Sequence, residues 1–522
     1  MTIDVSVPGS DGWWMDRLSK RLNADRKRFK ILTNYRQGRP PLVWGSENVK
    51  ARFYKFQQTS RTNYAALVVE AMVERMALRS VSTAAQAGAE GDPRAWDLVQ
   101  ANDLDISFED AADLACTYGR SYLMTAMPSE DDNDDEFSVI AYCDPRDTIA
   151  ERDAANPRKN KAAFRIFHDD EAGLDVAILW RPGRKVVGVR ENTSAPVQRR
   201  SAGLLGVPDF PEVSFSAAGF TIRPTAPVGA TDPWWSEEYD SKDVPIRTLK
   251  TRNEVGVFEL HTDLLDRLNH VMLMQMVIVT MQAFRQRQLE QSTDESVEQL
   301  PEYDESGQRI DYSDLFELGP DSLLLPPPGA KISELGQADL TGIQSFIKAD
   351  LLTLSAVTHT PMTMFTPDAA AQTAEGASLQ REGLVFKVNS FLRSASRELA
   401  RAIALAFDYM GDVERSDPSK VVVQFAPVDL YSLSEKASAA SQVSGTLTWE
   451  QTQQEVWQQT PTQIAAAKTQ RSDDLVLAQQ QAILTAAAAQ QPTRTPPADT
   501  RPDGFGGDVK ANKVQDVRPN GL

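Results

Sequence analysis

Apolar positions four residues apart open the chain. Trp14, Leu18 and Leu22 recur at helical spacing among Arg17, Lys20, Arg21, Arg26, Lys27, Arg28 and Lys30, and Gly38-Arg39-Pro40-Pro41 breaks the pattern before Leu42. The basic face fits solvent first, with nucleic acid or an acidic neighbour as other occupants. Two shorter helices are predicted, Asn63 to Ala77 with Leu67, Val68, Met72, Val73 and Met76 on one side, and Ser107 to Tyr118 ending at Gly119. The texture then changes. Phe137–Tyr142, Ala162–His168, Leu174–Trp180 and Lys185–Arg190 are short alternating or β-branched runs between turn residues, which predicts one small antiparallel sheet.

From Val255 the helical repeat returns. Leu260, Leu264, Leu268 and Met272, with Leu265, Val271 and Ile278, make an apolar stripe about nine turns long. A polar, turn-rich stretch from Glu290 to Leu335 follows, and Ile343, Phe346, Ile347, Leu351 and Leu354 then mark a returning helix over Leu340 to Val357. The two helices with their irregular tip form a hairpin that must bury its stripes against itself or against other copies. Thr366 to Ser378 is polar and small, and leads into a long helix from Leu379 to about Met410, with Leu384, Val388, Phe391, Leu392, Ala395, Leu399 and Ile403 on its apolar side. A strand over Val421–Phe425, helical segments from Leu433 to Gln481, and a Pro/Gly/Asp-rich tail from Ala486 expected to be disordered complete an α+β, mainly helical reading.

Composition narrows the function. A chain of 522 residues needs more than one packed region, and 41% apolar residues can supply them. The net charge of −18 argues against a protein that grips phosphate backbones, yet suits a surface along which DNA slides. Cys116 and Cys143 fit buried free thiols rather than a disulfide framework. The first residues lack the pattern of a secretory signal, and Val271–Met281 is far shorter than the roughly 20 residues of a membrane span.

Candidate chemistry is sparse. The sequence holds no GxxxxGK[ST] phosphate loop, and Gly376-Ala377-Ser378-Leu379-Gln380 lacks the last glycine of a nucleophile elbow. His168, His261, His270 and His359 have no metal-ligand spacing. The acidic run Glu130–Glu136 lacks the central glycine of a calcium loop. No cofactor, metal or enzymatic activity is expected.

The order of segments over about residues 13 to 485 resembles the portal proteins of long-tailed phages of Gram-positive bacteria. The resemblance rests first on Arg28, Tyr35-Arg36-Gln37-Gly38, Pro40 and Leu42, and on Asn63 leading to Val69 and Val73-Glu74-Arg75-Met76. It continues through Trp96 and Asn102-Asp103-Leu104-Asp105 to Tyr118-Gly119-Arg120-Ser121-Tyr122, and through Val244-Pro245-Ile246 to Arg252-Asn253. Leu323 to Pro328, Thr360-Pro361 and Glu375-Gly376-Ala377-Ser378 complete it.

The resemblance implies a portal fold with wing, helical-hairpin stem, clip and helical crown, closed into a ring of twelve. On that pattern residues 1–253 form the wing with the small sheet, 254–290 the first stem helix, 291–335 the clip, and 336–361 the returning stem helix. Residues 362–378 then form a tunnel loop, 379–412 a long wing helix, 413–485 a crown-like region and 486–522 a tail. The tunnel loop would bring Thr366, Asp368, Gln372, Thr373, Glu375 and Ser378 to the DNA channel, and the clip would bring Tyr303, Asp304, Arg309 and Tyr312 to the packaging motor. The implied partners are double-stranded DNA, the terminase large subunit, a head-tail adaptor, and the major capsid and scaffolding proteins. No membrane is among them, and the implied location is the capsid portal vertex after assembly in the host cytoplasm. A head-tail adaptor or minor capsid protein is the alternative, and a soluble hydrolase would need a catalytic set the sequence does not offer.

Overall fold

The computed structural model describes residues 3–41, 57–85, 91–128, 137–192, 213–216, 219–227, 234–239, 241, 243–283, 287–291, 303, 306–308, 330–334, 340–366, 374–429, 433–459 and 461–489. The chain divides into a large unit, Met1–Ile464, and a second, Ala465–Leu522. The large unit begins with α1 (Asp11–Arg36), α2 (Tyr64–Val73), β1 (Leu78–Ser82), α3 (Pro93–Ala101) and α4 (Leu104–Tyr118). Strands β2 (Arg120–Ala126), β3 (Val139–Cys143), β4 (Thr148–Arg152), β5 (Asn160–Asp169), β6 (Leu174–Arg181), β7 (Arg184–Glu191), β8 (Thr221–Ile222), β9 (Glu237–Glu238) and β10 (Ile246–Lys250) follow. Then come α5 (Thr262–Ala283), β11 (Arg287–Gln291), β12 (Ala330–Glu334), α6 (Thr341–Thr358), α7 (Met362–Phe365), α8 (Ala374–Tyr409), β13 (Val422–Phe425), α9 (Leu433–Val443) and α10 (Trp449–Gln451). The last helix, α11 (Pro461–Ala489), is exposed from Lys468 to Gln481.

The architecture is mixed rather than mainly helical. The expected single sheet is two. Strands β4 to β9 form a six-stranded antiparallel sheet, whereas β3 pairs with β2, and β2 with β10, in a three-stranded one. Strict alternation along β5 and β6 gives the larger sheet two apolar faces. Phe164, Ile166, Ala177 and Leu179 pack under Trp14, Met15, Leu18 and Leu22 of α1. On the opposite face Ala163, Val176, Ile178 and Trp180 meet Tyr122 and Ile246 of the smaller sheet. The far face of the smaller sheet, with Leu123, Ile140 and Leu249, joins a helical core built by α2, α4, α6 and α8. Ser121 donates to the Ala111 carbonyl of α4 at 2.6 Å, and Ser138 to the Ala406 carbonyl of α8 at 3.0 Å, so both helices are keyed to that face.

Helix α1 spans both cores, because Phe29, Leu32 and Tyr35 in its second half belong to the helical one. Its basic face is largely exposed, as at Lys20, Lys27 and Lys30, and part of it is paired within the chain. Arg17 and Arg21 share Glu151 at 3.1 and 2.7 Å, Arg28 meets Glu259 at 2.6 Å, and Arg36 reaches Glu70 at 2.9 Å and Asp113 at 2.6 Å. The acidic neighbours lie elsewhere on the same chain, where the sequence order hides them.

The C-terminal end of α4 is closed by a crossing segment. A helix leaves its last carbonyls without intrahelical partners. Here Val257 N–H donates to Cys116 O at 2.8 Å, Arg28 donates to Tyr118 O at 3.2 Å, and Thr251 N–H donates to Gly119 O at 3.0 Å. Arg28 also reaches Glu254 O at 3.0 Å, and its fork holds both carboxylate oxygens of Glu259 at 2.6 Å. The approach is so close that a Cβ on Gly119 would lie 2.3 Å from Glu254 O, and one on Gly256 would lie 2.3 Å from Thr117 O. Gly119 takes the left-handed region at φ 89°, as do Asn253 and Glu254 at 64° and 56°.

This crossing shortens the first hairpin helix. It begins at Thr262 instead of residue 254, after a 3-10 turn over Glu259–His261 that leaves Leu260 exposed, and it ends at Ala283 with β11 already begun at Arg287. The returning helix, expected over 336–361, runs from Thr341 to Thr358 and stops at left-handed His359. The long helix starts at Ala374, not 379, because Ala374, Glu375 and Ala377 are strong helix formers around one tolerated glycine. Within residues 413–485, β13 pairs with β1 of the large unit, placing Val423 opposite Val81 and Phe425 opposite Leu78. Helix α11 continues to Ala489, past the expected start of the tail at residue 486, and residues 490–522 lie outside the described residues, as does the acidic run at 130–136. Cys116 and Cys143 are buried free thiols, pushed up by burial to about 12 and about 11.

Replacing Gly119 with Ala adds a left-handed cost of about 1–2 kcal/mol and a clash with the Glu254 carbonyl. Gly411 is also left-handed but has nothing within 4 Å of an added Cβ. Urea denaturation followed by circular dichroism should give G119A a clearly lower midpoint than G411A.

Candidate functional site

The hairpin of α5 and α6 carries several exposed apolar side chains, and its junction with α8 is a polar joint. Helix α5 is anchored by its first turns. Tyr35 donates to Asp266 at 2.8 Å, and Asn269 accepts from the backbone N–H of Thr62 at 2.9 Å and from its hydroxyl at 3.2 Å. Burial, with the Asp266 carboxylate adding to it, pushes the Tyr35 phenol above its ordinary value. Beyond Asn269 the sequence stays apolar while burial falls away, and Met274 and Val279 are 49% and 46% exposed.

Helix α6 shows the same imbalance. Its inner face buries Ile347, Leu351 and Leu354, whereas Phe346, Leu352 and Val357 remain 46%, 58% and 42% exposed. The two helices are tied by a fork. Arg267 of α5 donates through Nε and Nη2 to the two oxygens of buried Asp350 at 2.9 and 2.7 Å. The antiparallel ribbon β11–β12, with Arg287 opposite Glu334, belongs to the stretch that links them.

Helix α6 ends because Thr360 precedes Pro361, a position that disfavours helical backbone. His359 turns left-handed at φ 56° and returns its N–H to Ser355 O. The Ser355 hydroxyl donates to Thr360 O at 2.7 Å, and Thr358 donates to Leu354 O at 2.7 Å. The terminal carbonyl of Thr358 accepts the ammonium of Lys387 from α8 at 3.0 Å. A cation on the negative end of a helix is favourable. Burial lowers the Lys387 pKa, and the same desolvation, with Lys387 adding to it, lowers His261. Gly383, one turn before Lys387, makes room for His359, since a Cβ there would stand 3.2 Å from its Nδ1.

After this joint α7 buries Met362 and Phe365, and the Phe365 ring lies 5.7 Å from that of Tyr64. Thr366 closes α7 through its N–H to Met362 O at 3.0 Å. Asp368, Gln372 and Thr373 lie outside the described residues. Glu375 and Ser378 fall in the first turns of α8 rather than in a loop, and Gly376-Ala377-Ser378 is therefore helical. Tyr303 is 59% exposed, and Asp304, Arg309 and Tyr312 lie outside the described residues. The structure thus brings no pair of the expected clip residues together among those described. Sequence reasoning missed Lys387, Thr358, Asp350 and Arg267. The one signal for the joint was the Thr-Pro pair at its centre.

Among the described residues no cluster of three or more His, Cys, Asp or Glu could hold a metal ion, and no helix is long and apolar enough to cross a membrane. The geometry defines a subunit with a two-sheet body and an incompletely covered helical hairpin. Residues 15–492 match the phage portal protein family, SPP1 Gp6-like, and the chain belongs to that family, whose members are structural proteins.

No curated relative matches it. Among solved structures it is similar to a chain of the virion of a native gene transfer agent particle, at 12% identity and TM-score 0.39, over 79% of this chain and 94% of that one. The neck of the native particle computed with C12 symmetry gives 10% identity and TM-score 0.40, and the neck of the empty particle computed with C6 symmetry gives 11% and 0.41. In each the match again covers 79% of this chain and 94% of the other.

Replacing Lys387 with Met removes the charge at the end of α6 while keeping the aliphatic stem. The expected loss is about 1–2 kcal/mol. Amide exchange at Thr360, whose N–H binds Ser355 O at 3.1 Å, should accelerate, while exchange in the six-stranded sheet stays as it was.

Proposed function

We propose that copies of this chain close into a ring around a channel that conducts double-stranded DNA into and out of a phage head at the capsid portal vertex. The family supplies the class of protein, and the half-exposed apolar faces of α5 and α6 are the observation that supports the ring. Fully burying a Leu, Phe, Met or Val side chain is worth about 1.5–3 kcal/mol. Phe346, Leu352, Val357, Met274 and Val279 realise only part of that in one subunit. A neighbouring copy can supply the missing cover, and the number the family resemblance implies is twelve.

In this reading α5 and α6 are the stem, and the segment between them is the clip that meets the terminase large subunit and later a head-tail adaptor. Tyr303, Asp304, Arg309 and Tyr312 are its proposed contacts. Thr366 and the residues up to Ser378 border the channel, with Thr366, Asp368, Gln372 and Thr373 ahead of α8 and Glu375 and Ser378 on its first turns. With no Lys or Arg, that stretch has no cation to hold phosphate. The body faces the major capsid and scaffolding proteins during assembly in the host cytoplasm.

Electron microscopy and mass in solution test the ring directly: purified protein should give annular particles with a central channel. F346K and L352K place charge on the open face and should shift the mass toward single subunits. A stable single subunit in the unmodified protein at assembly concentration would overturn the reading. Deleting residues 369–373 should leave rings intact and impair DNA packaging or retention.

A further inference from the structure

The chain as a whole is acidic, but one side of α8 is not. Between Glu382 and Glu398 the helix carries Lys387, Arg393 and Arg397 and no carboxylate. Lys387 is spent on α6, whereas Arg393 and Arg397 are exposed one turn apart. Arg393 makes only a 3.3 Å contact to the Asn389 carbonyl of its own helix. Among the described residues neither arginine has an ion-pair partner.

The next arginine along this side, Arg401, is neutralised by Glu398 at 2.9 Å and donates to Arg158 O at 3.3 Å. That bond holds the exposed turn between β4 and β5, which carries Arg158, against the helix. Lys159 on the same turn is already paired with Asp243 at 2.5 Å. Glu382 is 11 residues from Arg393, or about 16 Å along the axis. Screening at physiological salt extends over about 8 Å, so Glu382 is felt little here, and Glu398, the residue after Arg397, is balanced by its 2.9 Å pair with Arg401.

We propose that this edge, formed by Arg393, Arg397 and Arg158, is a contact site for the phosphodiester backbone of DNA. The inference rests on the DNA-conducting reading of the protein. The residues between the arginines favour phosphate over a protein partner. Ser394 and Ser396, with Ser390 just ahead of Arg393, are short hydroxyl side chains, which serve phosphate oxygens together with Arg. A protein interface would need a large apolar anchor at its centre, and the exposed Phe386 stands seven residues before Arg393, about 10 Å along the axis and outside the pair of arginines. The site carries no base-reading geometry and takes DNA without regard to sequence.

The test uses the full-length assembled protein and a short fluorescent duplex of arbitrary sequence, with anisotropy read between about 50 and 200 mM salt. Mass in solution is measured first on each protein. The unmodified protein should bind with an affinity that falls steeply with salt, and a second duplex sequence should bind equally. R393Q/R397Q should keep the same mass, bind more weakly at low salt, and lose about two units of the log–log salt slope. R393K/R397K should retain most of that slope.

Equal affinity and slope in R393Q/R397Q, or no duplex binding by intact rings, overturns the proposal and leaves the ring reading standing. Loss of assembly in R393Q/R397Q assigns the arginines to an acidic face of a neighbouring copy and overturns it as well. Failure of the unmodified protein to form rings is recorded before DNA is added, and it counts against the ring reading alone.

Discussion

Everything in the large unit turns on the closure of α4. Its last carbonyls are satisfied by the segment from Thr251 to Val257 and by Arg28, at a backbone distance that only hydrogen at the Cα of Gly119 and Gly256 permits. A buried carbonyl without a partner costs about 1–3 kcal/mol, and this one crossing settles three of them. It also fixes where β2 leaves the helix, where β10 returns, and the direction in which α5 departs. Arg28 belongs to α1, so the helix that covers the six-stranded sheet is pinned at the same point. The two cores are linked by α1 itself, whose first half packs on the sheet and whose second half packs in the helical core.

A second balance concerns what the subunit leaves open. The sheets are covered on their principal faces, and several of their buried charged groups are paired within the chain, as where Arg165 reaches buried Asp147 at 3.2 Å and Arg190 reaches Asp175 at 2.5 Å. The hairpin differs. It carries an Arg267–Asp350 fork that fixes the two helices to each other, together with apolar side chains that find no cover. A rigid pair with an unfinished surface suits association without refolding, since the ordering cost is met within the subunit. The joint of Lys387 with Thr358 continues that rigidity into α8.

The readable parts of the fold were those with one repeating face. The stripe of Leu384, Val388, Phe391, Leu392, Ala395 and Leu399 is buried as its spacing requires, and α6 lies within a residue of Leu340–Val357, the limits read from Ile347, Leu351 and Leu354. Strand β2 was hidden because both of its faces are covered, which erases the alternation that marks a half-buried strand. The start of α5 is hidden because the spacing of the stripe continues back through Leu260, while the breaking signal is a glycine and a left-handed Asn-Glu pair. For the candidate site, Thr360-Pro361 announced the end of α6. Lys387 looked like any cation on a long helix, because its partner lies 29 positions away. The arginines of α1 misled for the same reason, since Glu151 and Glu259 are visible to them only after folding.

The pairing of β1 with β13 also sets a timetable. Ser80 and Gln424 are 344 positions apart, yet their side chains meet at 3.1 Å across a two-stranded sheet. At roughly 5–20 residues per second of translation, the first strand waits on the order of 20 to 70 seconds for its mate. During that interval its edge is unpaired and the core beneath it is incomplete. The native contacts of this subunit therefore have a long-range member that no nascent fragment ending before Val422 can form. Closure of the large unit is consequently an event of late synthesis, which cannot begin until β13 has been made.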